Sequence, residues 1–166
     1  MNLQIAMLIR AAMEYDRGDP SRIQHLIKVH NFAAAIGRLE GLDEETQFIL
    51  ESAAVLHDIG IHLSEEKHGS TAGHFQELEG PAVAQEILDR LGGWTESQIE
   101  RIKFQIGHHH TYVGVDGLDW RILLEADFLV NLYEWREDFA PILEKHPDVF
   151  QTPSGIHLLE VMFAQR

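Results

Sequence analysis

The chain has 166 residues, enough for one domain with its own core, and its 45% apolar content argues against disorder. It holds no cysteine, which excludes disulfides, thiolate metal sites and a cysteine nucleophile, so any metal must be held by nitrogen and oxygen. A formal charge of −14 repels nucleic-acid backbones and anionic membranes, and no apolar run reaches the roughly 20 residues that span a bilayer.

The first ten residues lack a basic stretch and a small-residue cleavage site, so no signal peptide is expected and the cytoplasm is the expected compartment. Asp19-Pro20 reads as a helix start, with Asp as N-cap and Pro in the first turn. The apolar stripe Ile23, Leu26, Ile27, Phe32, Ala33 and Ile36 then runs to about Leu39, where Gly41 stops it. Asp43 caps a second helix carrying Phe48, Ile49, Ala53 and Leu56, with a stop at Gly60. Residues 61–79 are polar, contain glycine and show no apolar period, which predicts a long loop of the kind that carries function. Gly80-Pro81 is expected to open a helix to Leu91, ended by Gly92-Gly93. Thr95-Glu96-Ser97-Gln98 reads as a capping box for a helix to about His110. A further helix is expected over 118–138 with an interruption near Pro141, and Thr152-Pro153 starts a last one. No strand-like alternation occurs. The expected fold is all-α, one domain over 1–166 with seven or eight helices, a core at 20–135 and a C-terminal helical extension at 136–166.

Within these apolar stripes sit groups that are costly to bury alone. His57-Asp58 ends the run Ala53-Ala54-Val55-Leu56, and Asp127 lies inside Ile122-Leu123-Leu124-Glu125-Ala126-Asp127-Phe128-Leu129-Val130. A carboxylate so placed must be paired or must coordinate a cation. Imidazoles and carboxylates are ligands for divalent transition metals. His25, His57, Asp58, His109, His110 and Asp127 are therefore candidate ligands. Helical phase extends the Ile99, Ile102, Ile106 face to His109 and His110, and turns His108 to the surface. Asn131, one turn after Asp127, is a candidate partner for that carboxylate. In the expected loop, Lys67 beside His68 is a candidate phosphate contact, as are Lys28 and Arg22 flanking His25; a solvated role is open for all three.

His25, then His57-Asp58, then Asp127 resemble the H…HD…D signature of the HD-domain metal-dependent phosphohydrolases, over roughly residues 20–135. The contexts Leu56-His57-Asp58-Ile59-Gly60 and Glu125-Ala126-Asp127 match, and Val29 and Ala33 follow His25 at the family's usual offsets, whereas His30 falls about 140° away. The extra histidines point to the two-metal subclass. There a histidine before the third main helix completes the ligand set; here Glu79 stands in that place, with Glu77 as fallback. Ile61 replaces a lysine common in relatives, and the Gly-Tyr-Pro element of cyclic-dinucleotide-cleaving members is missing.

The resemblance implies one ion on His25, His57, Asp58 and Asp127 and a second on Glu79, His109 and His110, with Asp58 bridging. The ions would be divalent, drawn from Fe, Mn, Zn, Co or Ni. The expected activity is hydrolysis of a phosphate ester or anhydride of a nucleotide or other small phosphorylated metabolite, with Asp58 orienting the attacking water or taking its proton. Two alternatives keep the same residues: a non-catalytic module that binds a nucleotide or metal, and a di-iron protein using oxygen. The expected partner is a small phosphorylated molecule, with no nucleic acid and no membrane. Oligomeric state is left open, a homodimer included.

Overall fold

Side-chain caps start several of the helices in the computed structural model, which describes residues 2–164. Among the described residues there are nine helices and no strand: α1 (Leu3–Tyr15), α2 (Pro20–Leu39), α3 (Glu44–Leu56), α4 (Ile61–His68), α5 (Gly73–Leu91), α6 (Glu96–Ile106), α7 (Leu118–Glu134), α8 (Arg136–Lys145) and α9 (Pro153–Phe163). Asp19 caps α2 by accepting from the Arg22 amide at 3.0 Å, and Gly41, at φ 75°, takes the left-handed conformation that stops it. Asp43 accepts from the Glu45 and Thr46 amides at the start of α3. The Thr95–Gln98 capping box forms as expected, and Thr152 caps α9.

The core is built around α7, whose residues from Asp119 to Leu132 are all buried. Helix α2 packs along both α3 and α7; α6 lies against α3 and α5; α1 closes over α3 and α5, and α8 and α9 rest on α7. Buried apolar side chains from Ile5 to Phe150 form one cluster. The chain is therefore a single helical domain. Among the described residues no helix is long and apolar enough to cross a membrane.

Five expectations require correction. Residues 61–79 are not a loop: α4 occupies Ile61–His68, and α5 begins at Gly73, so only a short connection remains. Helix α4 buries just Ile61 and Ser64, too few positions to leave an apolar period in the sequence. Gly80-Pro81 lies inside α5 rather than opening it. The break after α7 falls at Trp135 (φ −135°, ψ 45°), and Pro141 is accommodated within α8. Helix α6 ends at Ile106, so the histidine run 108–110 lies in the turn beyond it. With α1 and α4 added, the helix count exceeds the seven or eight expected.

Gly80 has a packing role. The turn after α3 crosses α5 so closely that a Cβ on Gly60 would stand 2.5 Å from the Gly80 nitrogen and 2.7 Å from its Cα. Backbone atoms at that distance cannot yield without moving α5. Gly60→Ala is thus expected to lower stability by about 1–3 kcal/mol or more in urea denaturation, because overpacking here displaces a helix. Gly80→Ala meets a side-chain methyl, Ile106 Cγ2, at 2.7 Å and should cost less.

Candidate metal centre

Three elements bring the polar groups together. Helix α2 delivers His25, the turn after α3 delivers His57 and Asp58, and α7 delivers Asp127. His25 Nε2 lies 3.2 Å from His57 Nε2 and 3.2 Å from Asp127 Oδ1. Asp58 Oδ2 is 3.5 Å from His25 Nε2 and 3.7 Å from His57 Nε2, while His57 Nε2 is 3.4 Å from Asp127 Oδ1. Bonds of about 2.1 Å to one ion place neighbouring ligand atoms about 3.0–3.5 Å apart, so this donor spacing fits a single cation. The turn after α6 adds His109, whose Nε2 is 3.3 Å from the other Asp58 oxygen, Oδ1. Two groups of potential ligands result: His25, His57 and Asp58 on one side, and Asp58, His109 and His110 on the other. Asp58 belongs to both.

The ring orientations are fixed from behind. His57 Nδ1 donates to the Ala54 carbonyl at 2.9 Å, and His109 Nδ1 donates to the Ile106 carbonyl at 2.7 Å. His25 Nδ1 donates to Glu134 Oε2 at 2.7 Å. Each bond places the proton on Nδ1 and aims the Nε2 lone pair at the centre, as ligating histidines require. The Nε2 of His109 is fully buried and makes no hydrogen bond. An orphaned buried nitrogen facing a carboxylate fits a cation between them. Asn131 Nδ2 donates to Asp127 Oδ1 at 2.8 Å, the partnership expected from one-turn spacing.

Protons and cations compete for these lone pairs. Burial disfavours charge on His25, but hydrogen bonds and charge from Asp127, Asp58 and Glu134 outweigh it and lift its pKa to about 9. His109 is raised in the same way, burial opposing and Asp58 prevailing. Asp58 and Asp127 show the converse. Burial pushes each toward the neutral acid, yet the surrounding imidazoles hold both below the ordinary carboxylate range. His110 differs: burial and the adjacent His109 push it down to about 3, so it stays neutral. Its Nε2 donates to Gln76 Oε1 at 3.2 Å, and a Cβ on Gly73 would strike its ring at 2.6 Å.

Other expected residues sit elsewhere. Glu79 joins neither group; its carboxylate accepts from Lys67 Nζ at 2.7 Å and His68 Nε2 at 2.8 Å. That contact also removes Lys67 from the role of a free phosphate contact. Lys28 is likewise held, its Nζ 2.5 Å from Glu134 Oε1. Glu77, the fallback for Glu79, accepts from the His110 amide and the Thr111 hydroxyl. His108 stays outside both groups as expected, but it is half-buried rather than free: it stacks on Phe104 and its Nδ1 donates to the Phe104 carbonyl. Arg22 is the flanking cation that reaches the centre, with Nη1 3.4 Å from Asp58 Oδ2. Sequence reasoning missed Glu134 and Gln76. Glu134 was findable, since Asp127, Asn131 and Glu134 follow i, i+4, i+7 on one face.

Above the two groups lies a cavity of about 410 Å³ whose lining includes Asp58, Asp127, His110, Arg22 and Trp135. Comparison with protein-family models, curated proteins and solved structures found no match to this chain.

Glu134→Gln removes the carboxylate behind His25 while keeping its shape. Tenfold to about 100-fold weaker binding of a divalent metal is expected in chelator-competition titrations, with an unchanged helical circular dichroism signal. Unaltered affinity would show that Glu134 does not orient His25.

Proposed function

We infer that this chain is a metal-dependent phosphohydrolase of the HD-domain type, acting on a small phosphorylated molecule. The observation that carries the reading is the convergence of three imidazole Nε2 atoms and two carboxylates, mutually 3.2–3.7 Å apart where they meet, beneath a cavity open to a ligand. Four of these residues, His25, His57, Asp58 and Asp127, carry the sequence signature from which the resemblance was drawn. In this reading they hold one divalent ion, and Asp58, His109 and His110 hold a second. Two ions so held would supply an acidified water and neutralise phosphoryl oxygens.

The chain's own residues supply the rest. Asp58, kept anionic by the surrounding imidazoles, is shared by both ligand groups and orients the attacking water. Its lowered pKa suits it to these roles better than to storing a proton. Arg22 presents charge-assisted donors beside Asp58 and faces the cavity, where they can bind phosphoryl oxygens. Glu134, Ala54 and Ile106 keep the three imidazoles in the tautomer that leaves Nε2 free. Water adds to phosphorus, the bond to the ester oxygen breaks, and that oxygen leaves with a proton from the water.

Elemental analysis of metal-replete protein, paired with phosphate release, tests this assignment. The unaltered chain should retain two divalent ions and His109→Ala one. Asp58→Ala should lose tight binding of both and drop turnover at least about 10³-fold, the scale on which a missing electrostatic group acts. Glu79→Gln should keep both ions, because its carboxylate is engaged by Lys67 and His68. Wild-type turnover in Asp58→Ala would end the proposal.

A further inference from the structure

The cavity above the ligand groups has an uneven lining. Among the described residues Arg22 is its one arginine or lysine. Lys28 and Lys67, which the sequence offers as further phosphate contacts, are held by Glu134 and Glu79. Asp138, in the first turn of α8, adds a carboxylate to the lining. Next to it, Trp135, Phe139 and Ile142 also line the cavity. Phe139 and Ile142, three residues apart, share a face of α8, and Trp135, the residue just before that helix, stands in the same cavity wall. Phe139 is braced by an edge-on contact with Phe128, ring centroids 5.7 Å apart, which holds that face in place. Thr71, Gln76 and Asn131 are the neutral polar groups of the lining.

We propose that the site selects phosphomonoesters whose alcohol carries a planar ring, with the ring laid on the cavity wall formed by Trp135, Phe139 and Ile142, and that it turns away compounds with longer phosphate chains. This deepens the phosphohydrolase reading and rests on it. The reaction is hydrolysis of a monoester: the phosphorus–ester oxygen bond breaks, a new bond forms from phosphorus to the water oxygen, and one water proton ends on the released alcohol. A monoester brings about −1.5 to −2 charges, which Arg22 and cations on the ligand groups can meet. Each further phosphate adds negative charge where the remaining charged side chain of the lining is Asp138. The net charge of −14 adds a long-range field of the same sign. A volume of about 410 Å³ lies at the small end of ligand pockets and suits one ring system with one phosphate.

Metal-loaded full-length protein is assayed on a nucleoside 5′-monophosphate, its di- and triphosphate, phenyl phosphate and glycerol phosphate. The expected kcat/KM for each ring-bearing monoester exceeds that for the triphosphate and for glycerol phosphate at least tenfold. Phe139→Ala should shrink the ring-over-glycerol preference at least fivefold, mainly through KM, and Asp138→Lys should narrow the mono-over-triphosphate preference by a similar factor. Binding is read separately by tryptophan fluorescence, since Trp135 is 46% exposed whereas Trp94 and Trp120 are buried. The nucleoside monophosphate should quench this signal where inorganic phosphate does not, and Trp135→Phe should remove the response. Equal or better use of the triphosphate overturns the proposal, as does a Phe139→Ala variant that loses the same factor on phenyl and glycerol phosphates. Ring-dependent quenching without phosphate release from any ester overturns hydrolysis and supports the ring wall; no quenching overturns the wall.

Discussion

His25 and His57 aim Nε2 at Asp58 and Asp127, His109 aims its own at Asp58, and the rest of the molecule is arranged around keeping these buried groups there. Such a cluster is costly to bury, because the carboxylates lack hydration and must be met by a proton or a cation. The helices respond from behind. Backbone carbonyls of Ala54 and Ile106, at the ends of α3 and α6, each accept from an Nδ1–H. These carbonyls belong to the last turns of their helices, where carbonyls lack an intrahelical partner. The same bonds therefore satisfy two helix ends and aim two side chains. Helix termination and ligand orientation are one piece of chemistry here.

The third imidazole is handled differently, because His25 lies in the second turn of α2, where the carbonyls serve the helix's own hydrogen bonds. Its partner is the Glu134 carboxylate on α7, which Lys28 also binds. Helix α7 thus offers Asp127 toward the centre, Asn131 to hold Asp127, and Glu134 to hold His25, all on one face. On another face Glu125, fully buried, accepts from the Gln151 and Thr152 amides and the Thr152 hydroxyl, tying α9 to the same helix. A helix this enclosed has little freedom to tilt, so the relative positions of the candidate ligands His25 on α2 and Asp127 on α7 are fixed by core packing.

Much of this was legible in the sequence, and the misses have physical causes. The caps at Asp19, Asp43, Thr95 and Thr152 are local chemistry, and the four helices they start were found. Asp127 and His57 announced themselves by standing in apolar runs. Helix α4 escaped because a helix burying two side chains leaves almost no periodic trace. Gly80-Pro81 misled because its glycine serves an interhelical crossing with Gly60, which no local rule encodes. Glu79 was placed by resemblance alone, and its tertiary contacts with Lys67 and His68 were invisible along the chain. His109 and His110 were assigned by extending a helical phase past the end of α6; the turn at 107–110 keeps a near-helical path, with the Gly107 amide still bonded to Lys103, so the phase carried over.

The Glu79 contact also gives α4 a reason to exist. Residues 61–68 carry few buried apolar groups, so α4 has little hydrophobic anchorage of its own. The carboxylate on α5 holds both Lys67 and His68 of its last turn, and His68 stacks on Phe75 with ring centroids 4.2 Å apart. These contacts close the short connection at residues 69–72, which carries Thr71 to the cavity rim. Thr71 in turn accepts from Gln76, whose oxygen faces His110. A chain of contacts therefore runs from a solvated helix end to His110, a candidate ligand. Glu79, a carboxylate outside both ligand groups, thereby helps to shape the cavity above them.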